Sequence, residues 1–255
     1  MKKNTYLDYG SSSTLETKLS IIKNCGFDGV FLWYYSDPKV LEEVVTKTRC
    51  FSLEIESFHL PYQNINSIWF EGSMGDDIVK TMIEGVRAAA QYNVKIVVMH
   101  LVGGMVRPLP NEIGLRRIKE ILSACEEYDV YLALENVKDI KHIDYVYKHI
   151  ESQYLKFCFD FGHVNCFAPT DYKIDLSRYA EKIICVHIHD NNGQSDQHLI
   201  PFTGTVDYNY MMNELKKIGY SGPLTSEAKI KNHPDLLEDQ FISRVYATLE
   251  QLERL

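Results

Sequence analysis

Short runs of apolar, β-branched and aromatic residues alternate along this chain with longer stretches whose apolar positions recur every three or four residues. That alternation of strand-like and helix-like periods is the pattern of repeated βα units feeding a parallel sheet. Eight strand-like runs stand out, at residues 5–9, 29–33, 54–59, 95–100, 130–135, 156–160, 183–189 and 224–227. Between them, Leu15, Leu19 and Ile22, then Ile78, Met82, Val86 and Ala89, then Leu115, Ile118, Leu122 and Cys125 each mark one helical stripe. Met211, Leu215 and Ile218, and finally Phe241, Val245, Leu249 and Leu252, do the same toward the end of the chain. Noisier helical patterns over 40–48, 140–150 and 172–182 fill the remaining intervals. Eight βα units in one α/β domain spanning residues 1–255 close most economically into a TIM (β/α)8 barrel, although a doubly wound open sheet gives a similar string. In a barrel, segments 60–75, 101–111 and 190–207 become the long βα connections of the active-site face.

Composition fits one globular unit: 255 residues, 45% hydrophobic and 24% charged, bury a sizeable core without staples, and no Pro/Gly/Ser-rich run suggests a linker. The six cysteines, Cys25, Cys50, Cys125, Cys158, Cys166 and Cys185, show no CxxC pairing and fall among apolar positions, which predicts buried reduced thiols in a reducing compartment. The opening Met1-Lys2-Lys3-Asn4-Thr5 lacks the apolar core of a signal peptide, and no apolar run reaches membrane-spanning length. The expectation is a soluble cytoplasmic protein without a membrane partner. A net charge of −8 argues against a broad, non-specific grip on nucleic acid, which rests on Lys and Arg neutralising phosphates, while leaving a local basic groove open. Phosphate-cradling glycine motifs and a GxSxG nucleophile elbow are missing.

The chemistry lies in where the ionisable residues fall. His59, His100, Glu135, Asp160, His187 and Glu227 sit at or near the C-terminal ends of strands three to eight, the rim on which a barrel carries its site. Taken singly, His59 before Leu60-Pro61 and His100 after Met99 also fit hydrogen-bonded core histidines. The carboxylates of Glu135, Asp160 and Glu227 are harder to dismiss, because desolvation at the end of an apolar strand calls for a cation or donors. Three such carboxylates brought together repel unless a metal neutralises them. Two Glu, one Asp and one His are donors that suit a divalent Mn, Mg, Co or Zn ion. His163, one helical turn beyond Asp160, is a further candidate, whereas spacing alone reads Asp196 and His198 as solvated loop residues. His189 shares a strand face with His187 and is expected, with Asp190, either to support the ligand residues from behind or to stand beside the substrate. Trp33, Tyr34, Tyr62, Trp69, Phe70 and Phe202 are candidates for an apolar wall or for packing, and Trp33 leads because it ends strand two on the rim. His142, His149 and His233 are expected at the surface, and Gly103-Gly104 and Gly204 in turns.

The order and strand placement of Phe27-Asp28-Gly29-Val30, His59-Leu60-Pro61, His100, Leu134-Glu135-Asn136, Asp160-Phe161-Gly162-His163-Val164-Asn165, His187-Ile188-His189-Asp190, Asp196-Gln197-His198, Gly204 and Glu227 resemble the xylose isomerase-like TIM barrels. That superfamily joins sugar and sugar-phosphate isomerases and epimerases to the type IV AP endonucleases. By resemblance to its ketose 3-epimerase branch, Glu135, Asp160, His187 and Glu227 hold one divalent metal, Glu135 and Glu227 double as the acid/base pair, and His163 binds a substrate oxygen. A metal holding a sugar's carbonyl and neighbouring hydroxyl oxygens acidifies the C–H bond between them; one glutamate removes the proton and the other returns it on the opposite face. Resemblance to the endonuclease branch implies up to three metals, on His59, His100 and Glu135, on Glu135, Asp160, His187 and Glu227, and on His163, Asp196 and His198. The strand-six segment resembles the sugar-enzyme form, and few Lys or Arg occupy 63–73 or 191–197, so a small sugar, sugar phosphate or polyol derivative is the expected substrate and a DNA phosphodiester the alternative. Asn191-Asn192-Gly193 departs from the epimerase pattern by lacking an arginine. A catalytically silent sugar-binding barrel is a third reading, disfavoured by retention of both glutamates; a homo-oligomer is compatible with all three.

Overall fold

The computed structural model describes residues 1–104, 106–137, 140–167 and 174–255. Eight parallel strands close into a barrel in chain order: β1 (Lys3–Tyr6), β2 (Gly29–Trp33), β3 (Glu54–His59), β4 (Ile96–His100), β5 (Tyr131–Glu135), β6 (Leu155–Asp160), β7 (Ile183–Ile188) and β8 (Leu224–Ser226). Around them run α1 (Leu15–Asn24), α2 (Pro38–Cys50), α3 (Ser73–Gln91), α4 (Glu112–Tyr128), α5 (Lys141–His149), α6 (Phe161–Phe167), α7 (Tyr208–Lys217) and α8 (Glu238–Arg254). Helix starts follow local chemistry. Thr14 caps α1, Asp37 caps α2 ahead of Pro38, and Asn111 caps α4 by accepting from Ile113 N at 3.0 Å and Gly114 N at 3.1 Å. Among the described residues no helix is long and apolar enough to cross a membrane.

Several expectations need correction. The first strand lies earlier than 5–9, because polar Lys3 belongs to it and satisfies its ammonium on Glu253 of α8 at 2.7 Å, while Tyr9 has left the sheet to donate to Glu238 at 2.6 Å. No long helix fills the described part of 172–182, where a 3₁₀ turn covers Leu176–Tyr179; residues 172–173 lie outside the described residues. The helix after β6 is α6, which starts at once because Asp160 Oδ1 accepts the His163 N–H at 2.6 Å. Cys50 is exposed, unlike Cys125, Cys158 and Cys185. His142 is buried, packed edge-on against Trp69 with ring centroids 5.0 Å apart.

Inside the barrel, side chains stack in layers because residues two apart on a strand share a face. Val98, Ala133, Cys158 and Cys185 form one small apolar layer. Two residues further along the same strands come His100, Glu135, Asp160 and His187, and the register sets His100 beside Glu135 and Asp160 beside His187. Small residues below leave room for a polar layer above. A bulge in β3 decides where His59 points: Val30 pairs with Ile55 but Leu32 with Phe58, so the extra residue brings His59 opposite inward-facing Trp33.

The connection between β3 and α3 is pinned by Arg117 of α4, which is 2% exposed. Its guanidinium donates to the carbonyls of Ser67 at 3.0 Å, Ile68 at 3.1 Å and Gly72 at 3.0 Å, to that of Phe70, and to Asp76 at 2.7 Å. A planar fork of five N–H groups suits this task and a lysine does not. Arg117→Met strips these buried and part-buried carbonyls of their donor and is expected to lower stability by about 3 kcal/mol. Urea denaturation checks it; a loss under about 1 kcal/mol, the size of one ordinary hydrogen bond, would contradict the assigned role.

Candidate metal centre

Glu135 sits at the centre of the polar layer, 2% exposed at the end of β5. Its Oε2 lies 3.2 Å from His59 Nε2, 3.2 Å from His100 Nε2 and 3.5 Å from His187 Nδ1, and its Oε1 lies 3.2 Å from His163 Nδ1. His187 Nδ1 is also 3.7 Å from Glu227 Oε2. On the far side, His163 Nε2 is 3.5 Å and His198 Nε2 3.3 Å from Asp196 Oδ2, while His189 Nε2 is 3.3 Å from Asp160 Oδ1. Donor atoms of Glu135, Asp160, His187 and Glu227 all fall within 4.8 Å of one another, as do those of His59, His100 and Glu135, of Asp160, His163 and His189, and of His189, Asp196 and His198.

The hydrogen bonds show which atoms are free to ligate. His59 Nδ1 donates to the Leu60 carbonyl at 2.8 Å, which fixes the tautomer and leaves the Nε2 lone pair facing the Glu135 carboxylate. Two acceptors at 3.2 Å repel unless a proton or a cation lies between them. His198 repeats the arrangement: Nδ1 donates to the Glu227 carbonyl at 2.9 Å, and Nε2 faces Asp196. His198 stands at φ +49°, a left-handed conformation uncommon outside glycine. Glu135 Oε1, Asp160 Oδ2, His187 Nδ1 and both ring nitrogens of His189 are buried without a hydrogen-bond partner. Of these, the Glu135, Asp160 and His187 atoms belong to one cluster with Glu227, and orphaned carboxylate oxygens and imidazole nitrogens gathered in this way are the donor set a divalent cation takes.

Electrostatics point the same way. Burial raises the pKa of Glu135, but His100 and His187 outweigh it and hold the carboxyl well below its ordinary range. Burial is likewise overcome at Glu227, where His198 and His187 bring the value to about 2. Against burial, Glu135 and Glu227 raise His187 to about 10, and Asp160 leads the groups that raise His163. His100 moves down instead, burial prevailing over Glu135. In the metal-free site, protons on His187 and His163 supply the counter-charge.

The family model described as xylose isomerase-like TIM barrel matches residues 19–245. The chain belongs to this family. An uncharacterized protein of Methanocaldococcus jannaschii is 28% identical over 233 residues, covering 84% of this chain and 76% of the relative. A D-psicose 3-epimerase from Clostridium cellulolyticum, solved with D-tagatose, has a TM-score of 0.80 at 13% identity, over 100% of this chain and 99% of that one. A D-tagatose 3-epimerase-like protein has a TM-score of 0.75 at 21% identity, over 100% of both chains. At these identities the likeness to the solved structures is one of fold.

Within this xylose isomerase-like barrel, a cavity of about 180 Å³ opens above the donors, lined by His59, His100, His163, Asp196, His198 and Glu227. Of the aromatic candidates, Trp33 and Tyr62 reach it: Trp33 packs on His59 at 4.4 Å between centroids, and Tyr62 stacks on His100 at 4.8 Å. Trp69 instead donates to the Leu101 carbonyl at 2.7 Å in the core, Tyr34 faces a groove between α2 and α3, and Phe70 and Phe202 are exposed. Asp190, expected either behind the ligand residues or beside the substrate, is turned into its own loop, accepting from Asn191 N at 2.8 Å, Gly204 N at 2.9 Å and Val206 N at 3.0 Å. It braces the segment that carries Asp196 and His198. His189 lies beneath that segment, its ring stacked on His198 at 4.1 Å and resting on Gly162, where a Cβ would meet it at 2.1 Å. Phe167 and Lys229 also line the cavity and escaped the sequence reading; a basic residue two positions after the strand-eight glutamate was the available signal for Lys229.

Because a cation must displace the protons on His187 and His163, binding is expected to release protons and to weaken as pH falls below about 10, the value to which His187 is raised. Calorimetric titration of metal-free protein with Mn²⁺ in buffers of different ionisation enthalpy measures this directly. Proton-neutral, pH-independent binding would place the ion elsewhere, and Asp160→Asn is expected to weaken binding strongly while preserving the barrel.

Proposed function

We propose that this chain is a metal-dependent isomerase or epimerase of a small sugar, sugar phosphate or polyol derivative, working through an enediolate with Glu135 and Glu227 as acid and base. The observation that carries the reading is the buried quartet of Glu135, Asp160, His187 and Glu227, with donor atoms within 4.8 Å of one another under a cavity of about 180 Å³. That cavity has room for a small polyol and is walled by Trp33 and Tyr62, whose rings present apolar faces to sugar C–H groups. Solved structures sharing the fold include proteins named D-psicose 3-epimerase and L-ribulose 3-epimerase, which supports the carbohydrate class.

A divalent cation held by the quartet would supply Lewis-acid stabilisation of the negative charge that builds on the substrate's oxygens. The remaining work falls to the chain itself. Glu135 and Glu227 are both held in the ionised form a base requires. One takes the proton from the carbon beside the carbonyl; the other first takes up a proton from solvent and delivers it to the opposite face, which inverts that centre, and the first releases its proton to solvent as the product leaves. His163 donates to a substrate oxygen, and the aromatic wall excludes water from the carbanion-like intermediate.

One observation favours a second reading, a phosphodiester hydrolase with a multinuclear site. Glu135 Oε2 is shared between His59 and His100 at 3.2 Å each as well as belonging to the quartet, as a carboxylate bridging two cations would be. The net charge of −8 weighs against a nucleic-acid substrate.

Glu135→Gln and Glu227→Gln are each expected to lower turnover by about 10²–10⁴ with the fold intact, measured as C–H exchange into deuterium oxide by proton NMR. Near wild-type exchange in either variant defeats the acid/base pair. Metal content by mass spectrometry on wild type and His198→Ala separates the two readings. One ion per chain, unchanged in the variant, is expected for the isomerase. Two or three ions, falling in the variant, would instead support the hydrolase and call for an abasic-site incision assay.

A further inference from the structure

Lys229 follows the strand-eight ligand Glu227 by two residues and is the one lysine or arginine among the described residues that line the cavity. It is half-buried, and its ammonium makes no ion pair with any described residue. The backbone beneath it is fixed, since Lys229 N–H donates to the His198 carbonyl at 2.9 Å. The side chain is steered as well, with Nζ lying 5.9 Å from the centre of the Tyr6 ring. Its field helps hold Glu227 ionised, behind His198 and His187, but without an ion pair: that carboxylate is turned to His187 at 3.7 Å and His198 at 3.8 Å. The other walls of the cavity are imidazole, aromatic ring, glycine and Val137, and Asp196 is committed to His163 and His198. A restrained ammonium with no ion-pair partner of its own, at the edge of a pocket that opens to solvent, is a counter-charge available to a ligand.

We infer that Lys229 anchors an anionic group of the substrate, so that the site takes a ketose carrying a phosphate ester or a carboxylate in preference to a neutral sugar. This rests on the ketose reading given above. The anion and the reacting carbon then occupy different parts of one molecule: the quartet end acts on the carbonyl, and Lys229 fixes the remote end and with it the register of the carbon chain.

Calorimetric binding to the metal-loaded protein tests this with D-fructose, D-fructose 6-phosphate and D-fructuronate as probes, the two anions distinguishing phosphate from carboxylate. At least one anion is expected to bind about tenfold or more tightly than D-fructose, as one charge-assisted contact allows. Lys229→Met is expected to bring that ratio close to one, and Lys229→Arg to restore part of it. Equal binding of all three by the wild type, or a preference that survives Lys229→Met, overturns the anchor and leaves the ketose reading standing. A Lys229-dependent preference without any C–H exchange upholds the anchor and removes the isomerase reading. Failure of all three to bind defeats both.

Discussion

A carboxylate buried among imidazoles is the constraint on which this molecule turns. Glu135 is 2% exposed and meets ring nitrogens of His59, His100, His163 and His187 within 3.5 Å. An ion so far from water is tolerated only with opposite charge close by, and here that charge comes from protons on the histidines or from a cation that replaces them. The coupling is mutual: His187 is raised to about 10 by the same carboxylates it holds down. Desolvation thus makes the site an ion trap, and the histidines decide how readily protons give way to metal.

Everything around the layer serves to hold it rigid. The small side chains of Val98, Ala133, Cys158 and Cys185 set its floor, and the apolar shell between sheet and helices fixes the strands that deliver it. Two loops bring the remaining donors and walls into place by buried polar staples rather than by apolar packing. Arg117 ties down the connection leading from His59 to α3, and Asp190 ties down the segment carrying Asp196 and His198. Each satisfies several backbone groups at once, so the loops gain order without burying orphaned amides or carbonyls. Preorganisation of this kind lets a site hold like charges close together before any substrate arrives.

The cavity divides the labour between its ends. Carboxylates and imidazoles at its base can take polar oxygens, Trp33 and Tyr62 present apolar faces, and Lys229 stands at the edge as the one cationic side chain among the described residues that line it, histidines aside. Specificity in such a pocket comes from where polar groups are left unpaired, since a ligand that fails to satisfy them is rejected. A polyhydroxylated chain with a polar terminus matches that distribution of donors and acceptors.

Sequence alone determined the strand number and the identity of the rim residues, because a parallel strand buried on both faces is an apolar run and a charge at its end stands out against it, whereas closure into a barrel rather than an open sheet is seen in the structure. Glu135, Asp160, His187 and Glu227 were legible for that reason, and the described strands β2 and β3 keep the bounds that the pattern gave. Facing and distance were another matter. Whether His59 points inward depends on a bulge in β3, and strand parity counted along the sequence does not reveal an inserted residue. Asp190 and Asp196 are both aspartates of one loop, yet the first binds backbone and the second meets histidines, a choice made by how the loop folds over α6 and β7. The burial of Arg117 and His142 and the placement of Lys229 likewise follow from packing between segments distant in the chain. Periodicity is a local property that each strand and helix carries with it, whereas a site is a set of distances between strands, fixed only when the sheet closes and its shear sets which residues stand side by side.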